Sequence, residues 1–117
     1  MAKLSFANET RATMPRAIFR AIADAAFPKD YSLDIAFIEA EEMRRYNLMY
    51  RNKDEMTDIL SFPISKQSGE IFINVRRLKG FSVGNLFIHG LFHLKGLDHG
   101  DTMEKAEEKV RTAFKIS

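Results

Sequence analysis

Three histidines stand between residues 89 and 99, and the chain has no others. They fall in His89-Gly90-Leu91-Phe92-His93-Leu94-Lys95-Gly96-Leu97-Asp98-His99. Side chains four apart on a helix share a face, with Cβ atoms roughly 5–6 Å apart. His89 and His93 can therefore aim two imidazoles at one point. Gly96 stands where a helix end needs a residue tolerant of positive φ, and a chain reversing there brings back His99 as a third ligand. Three neutral imidazoles with an open fourth position describe a catalytic zinc site rather than a closed structural one. A bound Zn²⁺ lowers the pKa of its water to about 7 and supplies hydroxide at neutral pH. The ligands must be deprotonated to bind, so activity is expected to fall in acid. Nickel or another first-row divalent ion suits a tri-imidazole set as well, and spacing does not choose among them.

Two histidines at this spacing, taken alone, are more often satisfied core or surface residues than ligands. A third histidine, a glycine at the turn and the flanking Leu86, Phe87, Ile88, Leu91, Phe92 and Leu94 change that balance. A helix so apolar is buried nearly all round, and buried polar rings need partners. One metal ion satisfies them together. Asp98 either orients a ligand ring from behind or caps the turn after the helix; both readings stand.

The elements that must position this helix follow from periodicity. Lys3–Ala7 is a short strand. Thr13-Met14-Pro15 starts a helix, with a capping hydroxyl and a proline in its first turn, and Ala17, Ile18, Ala21, Ile22 and Ala25 form its apolar stripe before Pro28. Tyr31–Glu39 alternates around Leu33, Ile35 and Phe37 as a half-buried strand does. Glu41–Tyr50 is a second helix, with Met43, Tyr46, Asn47 and Tyr50 on one side and an acidic first turn that suits the dipole. A charged loop over 51–56 leads to a strand, Thr57–Pro63, stopped by its proline. A polar turn over Ser65–Gly69 and a strand over Glu70–Val75 complete an antiparallel pair. The histidine helix begins near Ser82. A closing helix, Thr102–Phe114, directs Met103, Ala106, Val110, Ala113 and Phe114 inward. The pattern predicts an α+β fold: a mixed sheet of about four strands packed with helices, the metal helix buried at its centre.

At 117 residues the chain is expected to form a single domain over 1–117, with 45% hydrophobic and 29% charged residues, as in ordinary globular proteins. Without cysteine, disulfides and thiolate zinc sites are excluded, and a reducing compartment fits. Residues 1–9 lack the apolar run of a signal peptide and no stretch reaches transmembrane length, so the expected location is cytoplasmic. A net charge of +2 permits nucleic-acid binding without requiring it. The basic clusters are Arg44-Arg45, Arg51 with Lys53, and Arg76-Arg77 with Lys79; the first reads best as a solvated face.

The spacing His-x3-His-x2-Gly-x2-His matches the metzincin proteases, whose pattern is H-E-x-x-H-x-x-G-x-x-H. Their general-base glutamate is replaced here by Gly90, which has no side chain to take a proton from water. A longer agreement lies elsewhere. His89-Gly90 through His93-Leu94-Lys95-Gly96-Leu97-Asp98-His99 resembles the H-G-x-L-H-L-x-G-Y-D-H signature of the YbeY family. Asn47 through Tyr50-Arg51, Lys53-Asp54, Thr57-Asp58 and Leu60-Ser61-Phe62-Pro63 resembles its L-N-x-x-Y-R-x-K-D-x-P-T-D-V-L-S-F-P block. Gly69-Glu70-Ile71-Phe72-Ile73 resembles its G-D-I-x-I strand, and Met103–Phe114 its final helix.

The resemblance implies a metal-dependent, single-strand-specific endoribonuclease of ribosomal RNA maturation and ribosome quality control, with one zinc ion on His89, His93 and His99. It also implies a functional role for Arg51, whose guanidinium forks across phosphate oxygens and offsets charge on a phosphorane. Taken alone, Arg51 would read as a surface cation at a helix C-terminus. The implied partners are single-stranded ribosomal RNA, with ribosomal proteins or a ribosome-associated GTPase beside it, and neither DNA nor a membrane. Spacing selects no general base among Asp58, Glu70 and Asp98. The sequence departs from the family at Phe92, Leu97, Glu70 and Met56, and its stretch between Gly69 and His89 is short. Two rivals remain: a metzincin-like metalloprotease, and a non-catalytic zinc-stabilised module that binds ribosomal RNA or a ribosomal protein.

Overall fold

The computed structural model describes residues 2–74, 83–95 and 101–114, the side chains of 101–103 excepted. Its elements are β1 (Lys3–Asn8), α1 (Arg16–Ala26), β2 (Ser32–Ile38), α2 (Ala40–Arg51), β3 (Ile59–Ser65), β4 (Ser68–Asn74), α3 (Val83–Leu94) and α4 (Asp101–Phe114). This is the α+β order that periodicity predicts. Among the described residues the strands form one mixed sheet ordered β1-β2-β4-β3. The pairs β1–β2 and β2–β4 are parallel, and β3–β4 is an antiparallel hairpin.

Strand alternation sends two sets of side chains to opposite faces. Leu33, Ile35, Phe37, Ile71 and Ile73 join Phe19 of α1 and Phe87 of α3 in the larger core. Phe19 stacks on Phe87 with ring centroids 4.2 Å apart and meets Phe37 edge-on at 6.1 Å. Burying each such ring contributes about 1.5–3 kcal/mol. On the other face Ile38, Leu60 and Met43 form a smaller cluster under α2, with Ala36, Tyr46, Phe62 and Phe72 around it. β2 alternates as a half-buried strand does, with Leu33, Ile35 and Phe37 buried and Asp34 exposed, and on the second face only its last residue, Ile38, is buried.

Several local expectations are corrected. α1 turns Phe19, Ile22 and Ala23 inward and leaves Ile18 48% exposed. The large Phe19 ring, not the Ala/Ile stripe, sets the helix rotation. Pro15 occupies the N-cap position of α1, and no side chain caps it. β3 runs through Pro63 to Ser65, because β3 is an edge strand with a register shift after Pro63, where no ladder N–H is required. On α2, Met43 and Asn47 are buried while Tyr50 is 60% exposed. On α4, Ala113 is exposed, and Ala106, Val110 and Phe114 pack at the core margin. Among the described residues no helix is long and apolar enough to cross a membrane.

α3 is the buried helix that its composition predicts. Leu86, Phe87, Ile88, Gly90, Leu91 and Phe92 are all buried. It lies between the sheet, through β3 and β4, and α4. That sandwich leaves a stripe of α3 carrying His89 and His93 between the edge of β3 and α4.

Candidate active site

His89 and His93 meet as their spacing requires. Their Nε2 atoms lie 3.0 Å apart, and the rings stand nearly perpendicular at 89°, centroids 4.5 Å apart. A tetrahedral ion with Zn–N of about 2.0–2.1 Å holds two nitrogen donors about 3.3 Å apart. The two Nε2 atoms are within a few tenths of an ångström of that spacing, and neutral imidazole is a ligand that zinc accepts. The donor pair therefore fits the ion. No group of three or more metal-binding side chains is found among the described residues. His99, with Gly96, Leu97 and Asp98, lies outside them, and so do Arg76, Arg77 and Lys79.

Behind His89 stands a residue that the sequence reading missed. Glu107 of α4 places Oε1 3.1 Å from His89 Nδ1, and its side chain is only 11% exposed. Arg111, one turn on, holds Nη1 4.0 Å from the same oxygen and Nη2 2.8 Å from Glu108. Glu107 falls in step with Met103 and Val110 on the stripe that α4 was expected to bury. A carboxylate on an apolar stripe was the available signal.

Arg51 comes to the same place from the other side. It ends α2 and lines a cleft of about 570 Å³ together with His89, His93, Thr57, Ile59 and Ser61. Among the described residues it makes no hydrogen bond or ion pair, so its guanidinium is available to an anion. The turn that delivers it is well specified. Asn52 takes the left-handed conformation at φ 56°, and its N–H and that of Lys53 donate back to the α2 carbonyls of Leu48 and Asn47. Buried Asn47 donates its Nδ2 to the Glu55 carbonyl at 2.8 Å. Asn74 pins the far end of the loop, its backbone N–H donating to the Asp58 carbonyl at 2.9 Å. By contrast, Arg44 and Arg45 are engaged by Asp54 and Glu42 at 2.8 and 2.9 Å; the bond to Asp54 raises the Arg44 pKa. They form the solvated face expected of them.

The acids separate as well. Asp58 lines a second cavity, of about 490 Å³, with His89, Glu107 and Arg111. Glu70 sits on the opposite sheet face, in a groove with Tyr46, Tyr50 and Phe72, because strand alternation gives the inner face to Ile71. Glu70 is thereby removed from the candidate bases.

Gly90 explains the missing glutamate of the metzincin pattern. A Cβ there would lie 2.7 Å from Ile59 Cδ1 and 2.9 Å from Ser61 Oγ. The helix approaches β3 closely at this point, and both side-chain tips must shift to admit even a methyl group. Gly90→Ala is expected to cost no more than about 1 kcal/mol, since the shift of two side-chain tips is offset by the ~1 kcal/mol of helix propensity gained. Gly90→Glu, which adds a buried charge, should cost several-fold more and yield no peptidase. Thermal melts of both variants, with a peptide-cleavage assay, check this.

Comparison with known proteins agrees with this geometry. The family model described as endoribonuclease YbeY matches residues 2–115. Endoribonuclease YbeY of Campylobacter jejuni is 36% identical over 108 residues, covering 76% of this chain and 78% of the relative. The protein of the same name from Alkaliphilus metalliredigens is 29% identical over 119 residues, covering 84% and 77%. In three dimensions the chain resembles the solution structure of TM1509 from Thermotoga maritima, with a TM-score of 0.59 at 20% identity, over 92% of this chain and 85% of the other. That likeness concerns the fold.

Proposed function

The chain belongs to the endoribonuclease YbeY family, and on that premise we propose that it is a zinc-dependent endoribonuclease hydrolysing phosphodiesters of single-stranded ribosomal RNA during maturation and quality control. The observation that carries this reading is the cleft shared by Arg51, His89 and His93. A guanidinium and two imidazoles lining one cleft support a reading in which phosphate is held next to a metal. His89, His93 and His99 would hold one ion, which supplies Lewis acidity and hydroxide at neutral pH when bound. Nickel or another first-row ion is the alternative occupant.

The chain's own groups do the rest. Arg51 forks across non-bridging phosphate oxygens, fixes the scissile group near the imidazoles, and offsets the charge that accumulates on the phosphorane. Asp58, of the two described acid candidates the one that shares a cavity with His89, would be the group that takes a proton. Among the described residues β3 stands at the sheet edge, where an extended strand could cross the cleft. The proposed setting is the cytoplasm, with RNA as substrate and ribosomal proteins or a ribosome-associated GTPase as companions. Gly90, which offers no general base beside the first histidine, disfavours a metalloprotease.

Chelation tests the proposal. Chelated protein should keep its far-UV circular dichroism, lose cleavage of a single-stranded RNA, and regain it with zinc. Persistent cleavage after chelation, with bound metal measured as absent, would contradict it. Loss of structure on chelation, with RNA processing indifferent to Arg51→Ala, would favour a zinc-stabilised binding module instead.

A further inference from the structure

We propose that Glu107 is a positioning residue for the metal centre, an inference that rests on the metal reading of His89 and His93. An imidazole presents one lone pair to a metal, and the hydrogen bond at its other nitrogen decides which one. Glu107 Oε1 lies 3.1 Å from His89 Nδ1. A carboxylate only accepts, so Nδ1 carries the proton and donates it. His89 Nε2 then holds its lone pair toward His93 Nε2, 3.0 Å away. With that lone pair as the acceptor, the 3.0 Å contact is donated by His93 Nε2–H, giving a continuous run from His93 through His89 to Glu107. For both Nε2 atoms to hold a metal, the His93 proton would have to move to its Nδ1, while Glu107 would keep the His89 proton on Nδ1.

The surroundings suit this role better than a structural ion pair. Glu107 is buried on a helix whose other inward residues are apolar. The nearby Arg111 balances its charge but bonds more closely to Glu108, at 2.8 Å against 4.0 Å to Glu107. The short contact that Glu107 makes is to the imidazole. The contact is also long-range, joining α4 to α3, so it ties ring orientation to the docking of the closing helix.

The test uses the full chain with ¹⁵N-labelled histidine and two variants, Glu107→Ala and the isosteric Glu107→Gln. Long-range ¹H–¹⁵N spectra of metal-free protein should show His89 as the Nδ1–H tautomer in the wild type. Both variants should shift toward a mixture. Zinc affinity, measured by competition with a chelating dye, should weaken 10–100-fold in Glu107→Ala and less in Glu107→Gln, whose amide oxygen still accepts. Should Glu107→Ala fail to fold, Glu107→Gln decides on its own. Wild-type tautomer and zinc affinity in both variants, within twofold, would overturn the inference and leave the metal reading intact. A wild type that binds no zinc overturns both, and its own titration identifies that failure before any variant is compared.

Discussion

His93→Ala should abolish RNA cleavage and zinc binding together, with cleavage falling by at least about 10³-fold, or roughly 4 kcal/mol of transition-state stabilisation. Removing His93 leaves His89 without the nitrogen that faces it at 3.0 Å, and an ion held by fewer imidazoles dissociates. His93 is the cleaner position to change. His89 also contacts buried Glu107, so His89→Ala strands a carboxylate, and unfolding would confuse the result. His93 is half-buried at the cleft wall, and its loss should move the melting temperature of the metal-free protein by only a few degrees. Zinc titration and RNA cleavage on one preparation check both halves. Cleavage that survives while zinc binding disappears would separate the metal from the chemistry.

Arg51→Ala should give the second large loss, about 10²–10³-fold in kcat, the usual effect of deleting one donor to a developing oxyanion. Zinc stoichiometry should not change, because Arg51 is a wall of the cleft and not a ligand. Stability should change by well under 1 kcal/mol, because the side chain is exposed and contributes little beyond its favourable place at a helix C-terminus. Arg51→Lys should recover part of the rate, keeping the charge and losing the fork. If Arg51 were only a dipole partner, the alanine variant would melt slightly lower and cleave RNA at the wild-type rate. Single-turnover kinetics at saturating RNA distinguish the two.

Much of this architecture is legible in residue patterns, and the exceptions have physical causes. The element order follows from periodicity, since Leu33, Ile35 and Phe37 alternate while α3 is apolar on nearly every side. The meeting of His89 with His93 follows from helical spacing alone. What single elements do not encode is the partner they pack against. The rotation of α1 depends on Phe19 finding Phe87 and Phe37 across the core. The extension of β3 through Pro63 depends on that strand lying at an edge, which only the whole sheet order determines. The role of Glu107 depends on α4 docking against α3, a contact spanning 18 positions. Gly90 shows the converse case. Its lack of a side chain rules out a general base when read alone, but the close approach of Ile59 and Ser61 of β3 appears only in the fold.

The joining of Arg51 to the histidines lies between these cases. Family likeness pairs them, and the structure supplies the means: a left-handed Asn52, a buried Asn47 and a pinned loop that bring the end of α2 over the β3 edge. His99 lies outside the described residues, so its part in the centre rests on spacing and family likeness.

Zinc K-edge X-ray absorption on the loaded wild-type protein and on His99→Ala tests the centre most directly. A tri-imidazole centre predicts one zinc per chain, with three imidazole nitrogens at about 2.0 Å and one oxygen donor, falling to two imidazoles in the variant. A wild-type first shell of fewer than three imidazoles, or one unchanged by His99→Ala, would contradict it.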